Sequence, residues 1–518
     1  MPPVEPSATV PWWRSGVVYQ IYPRSFCDSD GDGVGDLEGI RHRLGHLAWL
    51  GVDAVWLSPF YRSPMADFGY DVADFCDVDP LFGDLPAFDR LLADAHAHGL
   101  RVLVDLVPNH TSDQHPWFHA ARRSREDPKR SWYVWRDPER DGRPPNNWMA
   151  AFTNGPAWTF DEPTGQWYLH QFLPQQPDLN WEEPAVVDAM HDVMRFWLDR
   201  GVDGFRIDVV HCIGRDPDLP NDEAPWDQIP HCASNEHPST HEHIREMRRL
   251  ADDYPGDRVL IGETALPGTR WVAPYYGHGD ELHLAFNFAA THAPWDAPSW
   301  AHRLARVIEE LAPLDAWPTW VLSNHDIPRH RTRYGGSEAR ARAAAVALLT
   351  QRGTPVLYAG EELGLEDAEV PDDRIVDPGG RDGCRAPIPW ERAAPHGWGE
   401  RSWLPFPPDA GPRSAEALRD DPASILHLYR RLLQVRRESP ALQFGDLQVL
   451  DTPDGILAWR RTHALADGSI DERVIAISFV PDAVALDLRG IVEVASDGVG
   501  EGEPFGGHLP GDSAVVLR

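Results

Sequence analysis

Short apolar segments recur between residues 17 and 362, and the chain between them is long enough for helices. Eight such segments occur, at 17–23, 53–60, 101–110, 202–211, 258–266, 282–289, 319–326 and 354–362. Continuous apolar strands that alternate with helices are typical of a parallel sheet that helices cover on its outer face. Eight such units predict an α/β protein built on a closed (β/α)8 TIM barrel.

Three of the intervening segments have a clear helical pattern. Residues 86–99 and 185–201 carry apolar positions at helical spacing, and each ends at a glycine, a common helix stop. Residues 424–439 have the same periodicity, and we expect this helix to join the barrel to the C-terminal part of the chain.

The spacing of the predicted strands is uneven, which indicates additional domains. The third strand ends near His110 and the fourth begins near Val202, far more chain than one helix needs. Residues 109–178 are rich in Trp, Pro, Asn and Gly, and they predict a small inserted domain. The barrel is then expected to comprise residues 1–108 and 179–440. Short strands separated by Gly, Asp and Pro turns predict an all-β sandwich domain over 441–518.

Composition excludes several classes of protein. Apolar content of 42% and charged content of 25% are ordinary for a globular protein. A net charge of −33 argues against nucleic-acid or anionic-membrane partners, which need a basic surface, although it leaves salt adaptation open. The chain has no apolar run of about 18 residues and no signal-peptide pattern. Five scattered cysteines, Cys232 among them, favour reduced thiols, and we expect a cytoplasmic protein.

Polar residues cluster at the C-terminal ends of the predicted strands. In a TIM barrel these ends meet at the face that carries the active site, so we expect their side chains to converge. The residues are Tyr22, Arg24, Asn109, His110, Arg206, Asp208, His211, Glu263, Asn324, His325 and Asp326.

Two of the carboxylates in this group have environments suited to opposite roles. Cleaving a glycosidic bond needs one ionised carboxylate and one protonated carboxyl group. Asp208 suits the ionised role, because Arg206 points the same way from the strand and a guanidinium lowers a carboxyl pKa. Glu263 lies in the apolar segment LIGETAL and suits the acid role, because burial favours the neutral form.

Several segments together resemble one enzyme family. DLVPNH, GFRIDVVH, GETAL and SNHD resemble the four signature segments of the α-amylase superfamily, glycoside hydrolase family 13, and QPDLN (176–180) resembles a fifth. Three more segments are similar to the α-glucosidase branch, and specifically to the oligo-1,6-glucosidase group: YQIYPRSFCDSDGDGVGDLEGI, MADFGYDVADFCDVDPLFG and RDGCRAPIPW.

The resemblance implies a role for each carboxylate. Asp208 is expected to be the nucleophile that forms a β-glucosyl-enzyme, with Arg206 holding it ionised. Glu263 is expected to be the acid that becomes the base for water, and Asp326 to hold sugar hydroxyls. The family reaction retains configuration at the anomeric carbon, which requires a carboxyl separation of about 5–5.5 Å.

The resemblance also implies a closed pocket for one terminal glucose. Asp71 and Arg385 are expected to form the ion pair that closes it, and Tyr70 to stack on the sugar. His110 and His325 are expected to donate hydrogen bonds to sugar hydroxyls. The inserted domain is expected to complete the rim with Phe172 and Gln176.

An aspartate-rich loop, DSDGDGVGD, follows the first predicted strand and resembles the first half of a calcium-binding loop. Gly39 stands at the twelfth position, where such a loop has its bidentate glutamate. The resemblance implies one structural Ca2+ and no metal in the reaction itself. The expected ligands are Asp28, Asp30, Asp32, Asp36 and the carbonyl of Val34.

Linkage preference is indicated by the residue that follows the nucleophile. In having Val209 at this position, the chain resembles enzymes of the branch that cleave α-1,6 bonds. Exchanging one methyl group for a hydroxyl there should shift the linkage preference by only about 1–3 kcal/mol. The segments 211–257 and 363–380 are expected to shape the aglycone side. We therefore expect an exo-acting α-glucosidase for short α-glucosides, either a monomer or a weak homodimer.

Three alternative functions are supported by the sequence to different extents. A transglucosylase or sucrose isomerase would use the same carboxylates, and the sequence leaves this alternative open. A transporter-associated subunit without activity is disfavoured, because all three carboxylates are present and the chain has no predicted membrane anchor. An endo-acting amylase is disfavoured by the expected closed pocket and by QPDLN.

Overall fold

The eight apolar segments form one parallel sheet. A computed structural model describes residues 10–153, 155–222, 237–266, 268–286, 288 and 290–518. The strands of the sheet are β1 Val18–Ile21, β2 Ala54–Leu57, β3 Arg101–Leu106, β4 Gly204–Ile207, β5 Val259–Gly262, β6 Leu284–Ala285, β7 Thr319–Val321 and β8 Thr354–Tyr358. The strand order in this sheet is β6-β5-β4-β3-β2-β1-β8-β7, so β1 pairs with both β2 and β8, and β6 and β7 stand at the two ends of the order. The hydroxyl of Thr319 donates to the carbonyl oxygen of Ala285 at 2.6 Å, which links β7 to β6. The predicted TIM barrel is confirmed.

The register of the sheet places charged side chains of neighbouring strands at one level. Asp105 of β3 pairs with Arg206 of β4, and Arg206 pairs in turn with Ile261 of β5. Most other barrel-strand residues are buried and apolar, as expected for a parallel sheet covered by helices.

Seven helices in the described part of the chain have thirteen or more residues. They are α1 Leu37–Leu50, α2 Leu85–Ala97, α3 Pro184–Arg200, α4 Ser239–Asp252, α5 Ala297–Leu311, α6 Glu338–Thr350 and α7 Ile425–Glu438. Asp36 and Asp84 cap α1 and α2, each through a carboxylate that accepts a backbone N–H three residues on, the usual N-cap pattern. Gly51 and Gly201 end α1 and α3 with φ of 103°, a conformation that glycine adopts without strain.

Shorter helices lie in the chain before, between and after the barrel strands and the seven long helices. The α-helical ones are Trp12–Ser15, Pro23–Phe26, Pro116–Arg123, Thr269–Val272, His330–Arg333, Ala415–Arg419 and Pro440–Phe444. The 3-10 turns are Arg130–Trp132, Val210–Cys212, Ala273–Tyr276, Ala312–Leu314, Asp372–Arg374 and Asp382–Arg385.

Antiparallel sheets lie within both predicted additional domains, whose exact boundaries stay predictions. The strands Trp135–Arg136, Gln166–Leu169 and Trp158–Asp161 form a three-stranded sheet between β3 and β4. The C-terminal sheet has the order Asp446–Leu450, Ile456–Ala464, Ile470–Ser478, Ala514–Leu517 and Val492–Ala495, with Val484–Ala485 and His508–Leu509 as a separate pair. A short hairpin of Tyr61–Arg62 and Asp74–Val78 follows β2.

The cysteine residues and the helix lengths address two further expectations, that the thiols are reduced and that no segment spans a membrane. Cys27, Cys76 and Cys384 are free thiols, whereas Cys232 and part of the segment 211–257 lie outside the described residues. No helix in the part of the chain that the structure describes combines the length and apolar character needed to cross a bilayer.

Candidate active site

One buried guanidinium joins three carboxylates at the C-terminal rim of the barrel. Arg206 Nη1 lies 2.7 Å from Asp105 Oδ1 and 2.6 Å from Asp208 Oδ1, and Nη2 lies 2.5 Å from Glu263 Oε2. Arg206 is 1% exposed. The structure therefore brings the predicted nucleophile and the predicted acid onto the same arginine.

The protonation of this cluster differs from the expectation for Asp208. Burial raises the pKa of Asp208 well above its ordinary value, and Arg206 opposes this while Glu263 and Asp105 add to it. Burial likewise raises the pKa of Asp105 to about 6. The predicted lowering of the Asp208 pKa is wrong, because burial and two neighbouring carboxylates outweigh one guanidinium.

Asp326 has the opposite electrostatic environment. Its Oδ1 lies 2.9 Å from Arg381 Nη1 and 3.1 Å from Arg385 Nη2. Burial alone would raise the pKa of Asp326, but His325 and these two guanidiniums hold the pKa well below its usual range. Asp326 is therefore an ionised acceptor, which suits the predicted role of holding sugar hydroxyls.

The ion pair beside the carboxylates at the rim differs from the predicted one. Arg381 Nη2 lies 2.6 Å from Asp67 Oδ1 and 2.7 Å from Asp377 Oδ1. The side chains of Arg381 and Asp67 are 9% and 5% exposed. Because Arg381 also contacts Asp326, this network stands directly beside the site.

The predicted pair of Asp71 and Arg385 is wrong. The Asp71 carboxylate accepts hydrogen bonds from the Ser63 hydroxyl at 2.8 Å and from the backbone N–H groups of Ala66 and Asp67 at 2.8 and 2.9 Å. These bonds close the turn that carries Asp67. Arg385 instead donates to Asp326 and, through Nε at 2.7 Å, to the carbonyl oxygen of His325.

Tyr70 and His325 lie against each other at the rim. Their rings are parallel within 8°, with centroids 5.3 Å apart, and the Tyr70 hydroxyl lies 2.7 Å from His325 Nε2. His325 Nδ1 lies 2.7 Å from the amide nitrogen of Gln20, so the proton is assigned to Nε2. Burial lowers the pKa of His325 to about 3, and its imidazole is neutral near pH 7.

Residues between β3 and β4 contact the polar residues of the rim. Gln176 Nε2 lies 3.0 Å from Asp67 Oδ2 and 3.0 Å from His110 Nε2. Burial lowers the pKa of His110 to about 3. Phe172 packs against His110 and Phe152, at centroid distances of 5.2 and 5.7 Å. Gln176 is fully buried, so it lies behind the rim. The predicted contacts of His110, Phe172 and Tyr70 with sugar stay predictions.

The aspartate-rich loop gathers three of its four expected carboxylates. Oxygen atoms of Asp28, Asp30 and Asp36 lie within 4.8 Å of one another, and Asp32 is outside this group. The Asp32 carboxylate instead accepts the backbone N–H of Val34 at 2.7 Å. A convergent set of carboxylate oxygens is the donor type that Ca2+ prefers, so the residues present fit the ion.

The sequence contained signals for four site residues that were not predicted. Asp105 begins the segment DLVPNH, and it faces Arg206 because the two are register partners. Asp67, Asp377 and Arg381 lie within or just before the segments that resemble the α-glucosidase branch. A pattern shows that such residues belong to the site, but the structure is needed to show which of them pair.

Comparison with known proteins agrees with the fold and identifies the family. The family model "Alpha amylase, catalytic domain" matches residues 20–445. A probable alpha-glucosidase of Rhizobium meliloti (strain 1021) is 40% identical over 505 residues, covering 92% of this chain and 90% of the relative. An oligo-1,6-glucosidase of Parageobacillus thermoglucosidasius is 37% identical over 498 residues, covering 85% and 87%. The crystal structure of the alpha-glucosyl transfer enzyme XgtA has a TM-score of 0.91 and 41% identity, covering 98% of this chain and 100% of that one.

A barrel with paired carboxylates at its C-terminal rim and a three-stranded sheet inserted after the third strand is the arrangement expected of a glycoside hydrolase. The chain belongs to the α-amylase family, glycoside hydrolase family 13.

Proposed function

We propose that this enzyme is a retaining, exo-acting α-glucosidase that hydrolyses short α-glucosides from the non-reducing end. The observation that carries the proposal is the network of Asp67, Arg381 and Asp377 beside Asp326. A pocket closed at one end by a buried ion pair admits a single terminal sugar and excludes the interior of a chain. Relatives named alpha-glucosidase and oligo-1,6-glucosidase support the same substrate class.

The contacts of Arg206 support a different role in the reaction for each carboxylate. Arg206 holds Oδ1 of Asp208, which leaves Oδ2 to attack the anomeric carbon. As that bond forms, the bond from the anomeric carbon to the leaving oxygen breaks, and Glu263 protonates this oxygen. Water then attacks the β-glucosyl-enzyme, gives its proton to Glu263 and releases Asp208. Asp326 stays ionised and accepts hydrogen bonds from sugar hydroxyls.

A preference for α-1,6 linkages forms part of the proposal. Val209 directly follows the nucleophile and is 9% exposed. Its branched apolar side chain offers no hydrogen bond to the second sugar, as in the α-1,6-cleaving enzymes that it resembles. The preference is expected to be modest, about 1–3 kcal/mol.

A panel of glucose disaccharides plus sucrose, with the products separated, tests this proposal. We expect glucose as the main product and isomaltose turned over at least as well as maltose. A strong maltose preference would refute the argument from Val209. Trisaccharides or rearranged sucrose as main products would instead establish glucosyl transfer or sucrose isomerisation, the second candidate. The likeness to an alpha-glucosyl transfer enzyme favours that candidate.

We also propose that Asp28, Asp30 and Asp36 hold one structural Ca2+. The ion would supply charge balance to the loop that precedes α1, where Asp36 is the N-cap. Chelation should lower the melting temperature, and added Ca2+ should restore it. Asp28→Asn should be less stable and should no longer respond to Ca2+. A wild-type melting temperature that is independent of chelator would contradict the proposal.

A further inference from the structure

The residue after the nucleophile has an unusual backbone. Val209 has φ of 32° and ψ of 45°, in the left-handed region. A β-branched residue is a clear outlier there, because its side chain crowds its own carbonyl. Such strain persists only where the surroundings enforce it, and it concentrates at functional sites.

Hydrogen bonds on both sides fix this conformation. The N–H of Asp208 donates to the carbonyl oxygen of Leu106 at 2.8 Å, and the N–H of Val210 donates to the main-chain oxygen of Glu263 at 3.1 Å. The N–H of Cys212 donates to the carbonyl oxygen of Val209 at 2.8 Å. The chain must therefore turn sharply between β4 and the 3-10 turn Val210–Cys212.

The turn points the Val209 N–H at the side chain of Glu263. The N–H lies 3.2 Å from Glu263 Oε2, the same oxygen that Arg206 Nη2 contacts at 2.5 Å. Among the described residues, the hydrogen bonds to this carboxyl group all reach Oε2. An oxygen that accepts two donors has little room for a proton of its own.

We propose that the backbone N–H of Val209 is a positioning group that, with Arg206, keeps the catalytic proton of Glu263 on Oε1. This inference rests on the proposed glycosidase function. In the first step Asp208 Oδ2 bonds to the anomeric carbon and the bond from that carbon to the glycosidic oxygen breaks. The proton passes from Oε1 to the glycosidic oxygen as this oxygen leaves. In the second step water bonds to the anomeric carbon, its proton passes to Oε1, and the bond to Asp208 breaks. The strained backbone thus serves acid catalysis, independently of the Val209 side chain.

Two substrates separate this role from a structural one. Isomaltose has a poor leaving group that needs a proton, whereas fluoride leaves α-glucosyl fluoride with little help. Wild-type enzyme must first release glucose from both, because failure there would refute the proposed function and not this inference.

The test replaces the amide at position 209 with an ester, by incorporating the α-hydroxy analogue of valine. This removes the N–H and keeps the side chain. We expect kcat/KM for isomaltose to fall at least tenfold and kcat/KM for α-glucosyl fluoride to fall less than threefold. The matched control is the same exchange at Val210, whose N–H reaches the main chain of Glu263; it should affect both substrates equally. An equal effect on both substrates for the position 209 ester, or no effect, would overturn the inference.

Val209→Gly provides a test that does not depend on the ester. Glycine keeps the N–H and adopts the left-handed conformation freely. Because Val209→Gly is also expected to change the preference for a second sugar, this test replaces isomaltose with methyl α-glucoside, which has a poor leaving group and no second sugar. The ratio of kcat/KM for methyl α-glucoside to kcat/KM for α-glucosyl fluoride should stay within threefold of the wild-type ratio. A tenfold change in that ratio would show that the side chain positions the acid, and would overturn the role assigned to the N–H.

Discussion

Glu361 follows β8 and is buried, with 1% of its surface exposed. Its Oε1 lies 3.9 Å from Nδ1 of His330, but burial lowers the pKa of His330 to about 3, so this imidazole is neutral near pH 7. Burial raises the pKa of Glu361 to about 8, and the charge of Arg329 only partly opposes the effect. The nearby Glu362 carboxyl acts in the same direction as burial.

The shift predicts a stability that falls as pH rises. The unfolded carboxyl has a pKa of 4.5 and the folded one about 8, so between these values the native state binds one proton more than the unfolded state. Stability from this group is fully present below pH 4.5 and is lost as pH rises through about 8. At about 1.4 kcal/mol per pH unit, the total loss is about 5 kcal/mol. Glu361→Gln mimics the neutral acid and should remove this loss.

Denaturant unfolding of the wild type and of Glu361→Gln at pH 6, 7, 8 and 9 measures the effect. The variant's free energy of unfolding should exceed the wild-type value by an amount that grows by about 1.4 kcal/mol per pH unit and levels off above pH 8. Glu369 is exposed, and Glu369→Gln should show no such trend. A difference between wild type and Glu361→Gln that does not change with pH would refute the reasoning.

Two further substitutions and one control substitution test the site. Arg381→Met leaves the carboxylates around it without a counterion, which typically costs about 3–5 kcal/mol of folding stability, so the free energy of unfolding should fall by about that amount. Because Arg381 also contacts Asp326, kcat/KM for isomaltose should fall at least about tenfold in the folded variant, and a smaller loss would contradict the pocket-closing role. Among the residues that the structure describes, Arg374 donates only to two backbone carbonyls, and Arg374→Met should retain wild-type activity. Asp208→Asn should hydrolyse p-nitrophenyl α-glucoside at less than about a hundredth of the wild-type rate while keeping the wild-type melting temperature.

The barrel could be predicted from the sequence because its strands are buried on both faces and are therefore apolar along their whole length. The polar ends of β3, β4, β5 and β7 were equally clear, since parallel strands bring their C-terminal ends to one rim. The convergence of Asp208 and Glu263 on Arg206 follows from this topology.

The pocket wall could not be predicted in the same way. Asp67 and Asp71 are four residues apart, as are Arg381 and Arg385, so motif position alone does not decide which pair forms. The choice depends on a turn in which Asp71 binds the backbone. The prediction for the pKa of Asp208 was wrong for a related reason. The sequence shows that Arg206 is nearby, but it does not show that Asp208 is buried or that the carboxylate of Asp105 lies close to it.

Trapping the covalent intermediate tests the central claim most directly. Treating the enzyme with 5-fluoro-α-glucosyl fluoride, whose glucosyl-enzyme should turn over slowly, should label the protein with one fluoroglucosyl group. Proteolysis and mass spectrometry should then place the label on Asp208. A label on Glu263 or Asp326, or hydrolysis without any covalent species, would contradict the account.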